Sequence, residues 1–445
     1  MNVLLISANT ATSPYPVYPL GLAMVAAAAR NAGHRVTCYD CLQHGGASEA
    51  LAQVLRRLRP DIVGVSLRNV DNVNLLREER YVDTVKAVVR CVRAETDAYV
   101  VLGGTGFSIL PEAILRYVDA DCGIVGEGER LFVELLDGAA TGRALPARGT
   151  ILRSATRLPG TAVPAAPYEP DLLRSYLTKG SVATIQTKRG CPLPCVYCSY
   201  PSLEGSTIRP RPAAAVLADI DVLVREHNVS NVFFADAVFN DDQGEYLGLL
   251  RAMRDHPVKI AWSAFLKPSG LTAETVALMK ATGLREAELG SDAASDRALQ
   301  GQLKPFRFRD VVAANDLLME QDVKVAHYFM FGGPGETRES VLEGTANIRR
   351  LRCTAVFVFM GIRVLPGTGL ATIARRQGVI AADRDLLESV YYLSPELDRA
   401  WLEATLRDAF RELHHVVFPP DALDDKLQLL HRLGYAGALW DLLGG

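Results

Sequence analysis

Arg189-Gly190-Cys191-Pro192-Leu193-Pro194-Cys195-Val196-Tyr197-Cys198 is the stretch that decides how this chain is read. Its cysteines, spaced CxxxCxxC, bring three thiols out of one short loop. A closed tetrahedral zinc site takes four ligands. Three thiolates suit a cubane [4Fe–4S] cluster held by three of its irons, with the fourth iron open to a small molecule. Cys191, Cys195 and Cys198 are therefore the candidate metal ligands. For the cysteines taken alone, a structural zinc loop with a remote fourth ligand is the alternative.

Outward from this loop the pattern alternates between β and α. Residues 180–375 carry six strand candidates, at Val182–Thr187, Asn231–Ala235, Lys259–Phe265, Glu286–Gly290, Val323–Phe331 and Ala355–Val364. Residues 1–137 carry five more, at Val3–Ser7, Arg35–Tyr39, Asp61–Leu67, Ala98–Gly103 and Cys122–Gly126, with helical periods between them. Such alternation predicts an α/β chain whose first unit is a doubly wound, Rossmann-like parallel sheet. Glycines gather where its strands should end, in Gly103-Gly104-Thr105-Gly106 and Gly126-Glu127-Gly128-Glu129. Sheets of this kind take ligands at their carboxyl edge, but no GxGxxG follows the first strand, so the dinucleotide fingerprint is absent. Residues 138–179 are rich in Gly, Ala, Pro and Arg and read as a linker, and residues 376–445 as a helical tail.

A chain of 445 residues has room for two or three domains. A net charge of −3 without any Lys/Arg block argues against nucleic acid as a partner. The longest early apolar stretch, Gly21–Ala29, is too short to span a bilayer, and the first residues lack the features of a leader, so no membrane association and a cytoplasmic location are expected. Eight cysteines with three in one loop fit a reducing compartment. The other five are expected to pack as small apolar groups.

The cysteine run, with Tyr197 before its third cysteine, resembles the signature of the radical S-adenosylmethionine (SAM) superfamily. That resemblance implies a partial (β/α)6 barrel and an open iron that chelates SAM. It also implies an external electron donor, whose electron cleaves SAM to methionine and a 5′-deoxyadenosyl radical. Further motifs follow in the order the family has them. Tyr197 would pack against the adenine or cover the cluster. Asp236, where the family commonly has Gly-Gly-Glu, is the nearby carboxylate for the methionine ammonium. In Glu286-Ala-Glu288-Leu-Gly290-Ser291-Asp292, which resembles the family's Glu-x-Gly-x-Glu/Asp-Ser region, Glu288 or Ser291 would contact the ribose or methionine portion. Lys304 matches a basic residue that pairs with the SAM carboxylate. Gly332-Gly333-Pro334-Gly335-Glu336-Thr337 resembles the family's Gly-x-Pro-Gly-Glu-Thr turn, which puts Gly333 and Gly335 beside the adenine, and Leu365-Pro366-Gly367-Thr368 puts Pro366 at its edge.

A doubly wound domain ahead of such a barrel resembles the cobalamin-binding class of this superfamily. No Asp-x-His-x-x-Gly is present, and Arg68 with the polar run to Asn72 stands where small residues would suit the nucleotide tail of a corrinoid. Domains with and without cobalamin both stay open on the sequence. The comparatively short tail favours radical dehydration or deoxygenation of a small, polar, aminosugar-like intermediate, as in antibiotic biosynthesis. Arg68, Asp71, Asp236, Glu288 and Tyr391 would be its polar groups, with Tyr392, Glu396 and Trp401 near the barrel mouth. Cobalamin-dependent C-methylation is the alternative. A tRNA methylthiotransferase is set aside for lack of a second three-cysteine cluster and of a basic tail. A non-catalytic metal-binding module leaves the ordered glycine and proline turns unexplained.

Overall fold

A computed structural model describes residues 1–437, 439 and 440; residues 441–445, the end of the expected helical tail, lie outside the described residues. Its first sheet contains β1 (Asn2–Ser7), β2 (Arg35–Asp40), β3 (Ile62–Ser66), β4 (Tyr99–Gly103), β5 (Cys122–Val125) and β6 (Thr150–Arg153), in the order β2-β1-β3-β4-β5-β6 and parallel throughout. The strands are apolar on both faces because both are covered. Leu4, Ile6, Val63 and Val65 pack against the helices Glu49–Leu58, Val82–Glu95 and Pro111–Val118. Val3, Leu5, Ile62 and Val101 pack against Leu20–Asn31 and Gly128–Ala140. Strand β1 has β2 on one side and β3 on the other, so the winding reverses there and opens a crevice at the carboxyl edge.

Residues 138–179 are more than the expected linker. They supply β6, which extends the first sheet beyond residue 137. They also supply the helix Pro170–Thr178, whose Leu173 and Tyr176 are buried with Tyr18.

After β7 (Ala183–Ile185), the chain forms a small antiparallel pair, β8 (Lys188–Arg189) with β9 (Arg209–Pro210), which frames the cysteine loop. Then come β10 (Asn231–Phe234), β11 (Ala261–Leu266), β12 (Leu284–Asp292), β13 (Lys324–Phe331) and β14 (Ala355–Met360). Strands β7 and β10 to β14 pair in sequence, all parallel, as the expected six-stranded partial barrel. Trp262, Ala264, Ala287 and Leu289 face the helices. The alternate positions, among them Thr184, Phe233, Phe265, Glu288, Tyr328 and Phe357, therefore line the lumen.

The sixth expected strand, 355–364, breaks at Gly361, where φ is +73°, and continues as β15 (Ile362–Arg363), which pairs with β16 (Tyr391–Tyr392). The tail is not helical throughout. Beyond the helix Arg399–Phe410, β17 (Val416–Val417) joins the outer edge of β14. Past the helix Asp424–Arg432, Gly437 N–H donates to Gly180 O at 2.7 Å, close to the start of β7. The tail thus crosses the open side of the partial barrel. No helix among the described residues is long and apolar enough to cross a membrane.

Candidate active site

A cavity of about 620 Å³ lies where the carboxyl edge of the first sheet faces the barrel mouth. Ser7, Ser66, Gly103 and Gly126 line it from the strand ends, and Thr184, Gln186, Ser199 and Tyr200 from the barrel and the cysteine loop. Gly21 and Gly103 have nothing within 4 Å of where a Cβ would stand, so bare backbone faces open space there. Gly104 has φ +95°, and a Cβ would lie 2.4 Å from Leu67 O, which leaves glycine as the residue this turn accepts. Arg68 is exposed and lines the same cavity. Asp71, which lines the cavity too, is bonded to Arg363 at 2.8 Å and to Ser389 Oγ at 3.0 Å.

The cysteine loop opens with Gly190, at φ +95° and with Thr207 O 2.1 Å from a Cβ position. Cys191 N–H donates to Gly205 O at 3.0 Å. Burial pushes the Cys198 thiol up to about 12 and raises that of Cys191, so both hold their protons at neutral pH until a metal displaces them. Lys304 is no surface lysine. Its Nζ donates to Cys195 Sγ and Tyr197 OH, each at 3.0 Å, and is paired with Asp292. Burial works to lower the Lys304 pKa, but Asp292, Tyr197 and Cys195 outweigh it and raise it. A register shift in β12 turns Asp292, at φ +60°, towards this lysine. The structure thus puts Tyr197 beside Cys195 through a shared lysine.

Asp236 departs from expectation. Its carboxylate is 2% exposed and accepts from Thr187 N at 2.7 Å, Lys188 N at 3.1 Å and the Thr187 hydroxyl. Those bonds engage both carboxylate oxygens and fix the passage from β7 into β8. Ser291 is also misread, being fully buried on the helix side, where its Oγ meets His327 Nδ1 at 2.8 Å. Gly333 packs against Gln302, whose backbone carbonyl accepts from Val196 N–H at 3.2 Å, which ties that turn to the cysteine loop. Gly335 is exposed, with its carbonyl bonded to Arg297. Pro366 lies in the turn next to Leu365, a cavity residue, and Leu370 N–H just beyond donates to Val196 O at 2.7 Å. Tyr391 pairs with Arg363 in β15, and its hydroxyl is buried without a hydrogen-bond partner. Glu396 is a surface partner of Arg297, and Trp401 stacks under Arg338.

Glu288 points into the lumen, where Tyr328 OH donates to it at 2.9 Å, and burial pushes its carboxyl up to about 7. Phe265 is 40% exposed although it sits on a central strand, the sign of an open lumen, and Phe233 meets it edge-to-face at 5.0 Å. Tyr15, from the loop after β1, lines the cavity and packs with Tyr328 and Phe357.

Comparison with known proteins gives this geometry its context. Residues 6–136 match the family model of the B12 binding domain, and residues 185–344 that of the Radical SAM superfamily. The chain joins a B12-binding domain to a radical SAM domain. Tryptophan 2-C-methyltransferase of Streptomyces laurentii is 26% identical over 431 residues, which cover 80% of this chain and 72% of that one. An uncharacterized methyltransferase of Pyrococcus horikoshii is 25% identical over 336 residues, 73% of this chain and 71% of that one. The fold is that of the radical SAM methyltransferase TsrM from Kitasatospora setae, solved with cobalamin and a [4Fe–4S] cluster, with a TM-score of 0.87 at 23% identity over 100% of this chain and 97% of that one.

The two domains imply a [4Fe–4S] cluster, SAM and cobalamin as cofactors, and the residues present fit them. In the B12-binding domain, the bare glycines at the cavity wall let a flat ligand approach the backbone. Asn9 Nδ2 and Thr184 Oγ1, both buried on that cavity, lack hydrogen-bond partners. The small-residue lining missing around Arg68 is supplied by Gly21, Gly103 and Gly126. In the radical SAM domain, Cys191, Cys195 and Cys198 come from one loop, and among the described residues no three His, Cys, Asp or Glu side chains, these cysteines included, stand close enough to form a metal cage. Sequence reasoning missed Asn9, Tyr15, Glu129, Arg189, Asp292 and Tyr328. Arg189, Glu129 and Asp292 carried a signal, as charges inside motifs read for other residues.

Proposed function

We propose that this chain is a cobalamin-dependent radical SAM methyltransferase acting on a small molecule held in the barrel lumen, with Cys191, Cys195 and Cys198 as the cluster ligands. The observation that carries this reading is the single cavity joining the glycine-lined edge of the B12-binding domain to the barrel mouth beside the cysteine loop. Both relatives named above are methyltransferases, which favours this reading over dehydration. Dehydration also loses its machinery, since Asp236 and Asp71 are spent on backbone amides and on Arg363.

When bound, SAM supplies the methyl group, cobalamin its carrier and the cluster a one-electron centre fed by an external donor. The chain's own part is to seat the substrate and keep water out. Phe233, Phe265 and Tyr328 offer flat apolar surfaces, and Glu288 a carboxyl between them. That combination suits a planar aromatic substrate with an N–H or O–H donor for Glu288. Glu288 thereby moves from the SAM contact expected on the sequence to a substrate contact. Tyr15 bounds the lumen on the cavity side, and Trp440 packs with Ala326, Ala355 and Phe357 at its other end.

The test is anaerobic incubation of the fully loaded enzyme with a one-electron reductant, trideuteromethyl SAM and a panel of indoles and aromatic amines. The expected product carries one trideuteromethyl group in place of hydrogen, with S-adenosylhomocysteine formed alongside. A product lighter by water, with 5′-deoxyadenosine and no label, would reject the proposal.

A further inference from the structure

We propose that Glu129 and Arg189 together read a carboxamide side chain on the rim of the corrin ring, and so tie corrinoid binding to the cysteine loop. The inference rests on cobalamin as the occupant and holds whichever group is transferred. Glu129 stands in the first turn of the helix Gly128–Ala140, and Arg189 ends β8, two residues before Cys191. Arg189 Nη2 donates to Glu129 Oε1 at 2.6 Å, and its Nε to Gln186 Oε1 at 2.9 Å. Glu127 stands 3.6 Å from Arg189 Nη1, and it also takes Arg209 and accepts from Leu158 N–H at 2.7 Å. The two side chains are each 7% exposed.

This clasp is incomplete. Glu129 Oε2 and Arg189 Nη1 are both buried and neither has a hydrogen-bond partner. Buried polar atoms are paired in folded proteins with few exceptions, and each exception calls for a water, an ion or a ligand. Both residues line the cavity of the B12-binding domain. One spare acceptor beside one spare donor is the complement of a primary carboxamide, whose N–H₂ would donate to Oε2 and whose C=O would accept from Nη1. The corrin rim of cobalamin is hung with such groups. Asn9 and Thr184, 4% and 3% exposed, add two more partnerless polar atoms on the same cavity. A carboxylate in the same place would meet Glu129 as a like charge.

The test uses cluster-loaded, corrinoid-free protein, titrated by absorbance with hydroxocobalamin and with the cobalamin monocarboxylates, in each of which one amide has become an acid. We expect one monocarboxylate to bind at least about tenfold more weakly than cobalamin, and Glu129→Gln to recover that loss. We also expect Glu129→Ala to weaken cobalamin by about tenfold with iron content unchanged. Should Glu129→Ala fail to fold, the monocarboxylate series on the unaltered protein decides alone. Equal binding of every monocarboxylate and cobalamin would overturn the proposal, with water as the partner of both atoms. Failure of the unaltered protein to bind any corrinoid would overturn the cobalamin assignment itself.

Discussion

Gly190 stands where the cysteine loop has no room for a side chain. With φ at +95° and Thr207 O 2.1 Å from a Cβ position, Gly190→Ala must shift backbone as well as adopt a strained conformation. We expect it to cost roughly 1–3 kcal/mol in stability and to lower iron bound after anaerobic reconstitution. Iron and sulfide assays read the second effect, and undiminished iron would detach Gly190 from the loop's geometry. Gly335→Ala, at φ +78° in open space, should cost only about 1 kcal/mol and leave SAM binding intact in a direct titration. Glu288 carries a pH signature. Burial lifts its carboxyl from the ordinary range to about 7, so the folded chain keeps a proton that the unfolded chain releases. Raising the pH from that ordinary range towards 7 therefore removes stability, while the ionised carboxylate becomes the better acceptor for a substrate donor. Substrate affinity should rise as the pH passes about 7, and Glu288→Gln should flatten that profile. Identical profiles for the two proteins would place Glu288 outside the substrate site.

Elements carry the next level of the account. The loop after β3 is tied to β15 by Asp71 and Arg363, whose side chains are 2% and 3% exposed. Asp71→Ala leaves that guanidinium buried and uncompensated, a loss of roughly 3–5 kcal/mol, and should lower the melting temperature without changing cobalamin affinity. A substitution that disturbs corrinoid binding and spares stability would make Asp71, which lines the cavity, a corrinoid contact instead. Most strands were legible in the sequence to within a residue or two, because four or more alternating or continuous apolar residues leave a pattern. Strand β17 was not, since the two residues Val416–Val417 have no period to detect. Strand β6, Thr150–Arg153, was hidden by a segment whose Gly and Pro content reads as linker. The carboxylates were legible as residues and not as roles. Nothing in Asp236 or Asp71 announces that backbone amides or a distant arginine will consume them, because those partners come from elements far away in the chain.

At the scale of the whole molecule, the order of two domains and the three cysteines were readable from motifs, and the reaction was not. The choice between dehydration and methylation depends on what shares a cavity, and that is set by the docking of one domain on the other. Here the carboxyl edge of β1, β3, β4 and β5 faces the barrel mouth, and the cavity between them reaches Arg189, Ser199 and Tyr200 on either side of the cysteines; the proposed function would put corrinoid and cluster in one reaction volume. The most direct test is electron paramagnetic resonance of protein loaded with both cofactors, the corrinoid as cob(II)alamin and the cluster poised oxidised or reduced. Two centres on one cavity predict a cob(II)alamin signal that relaxes faster and broadens when the cluster is reduced. A cob(II)alamin signal indifferent to the cluster's redox state, at full occupancy of both, would contradict the account.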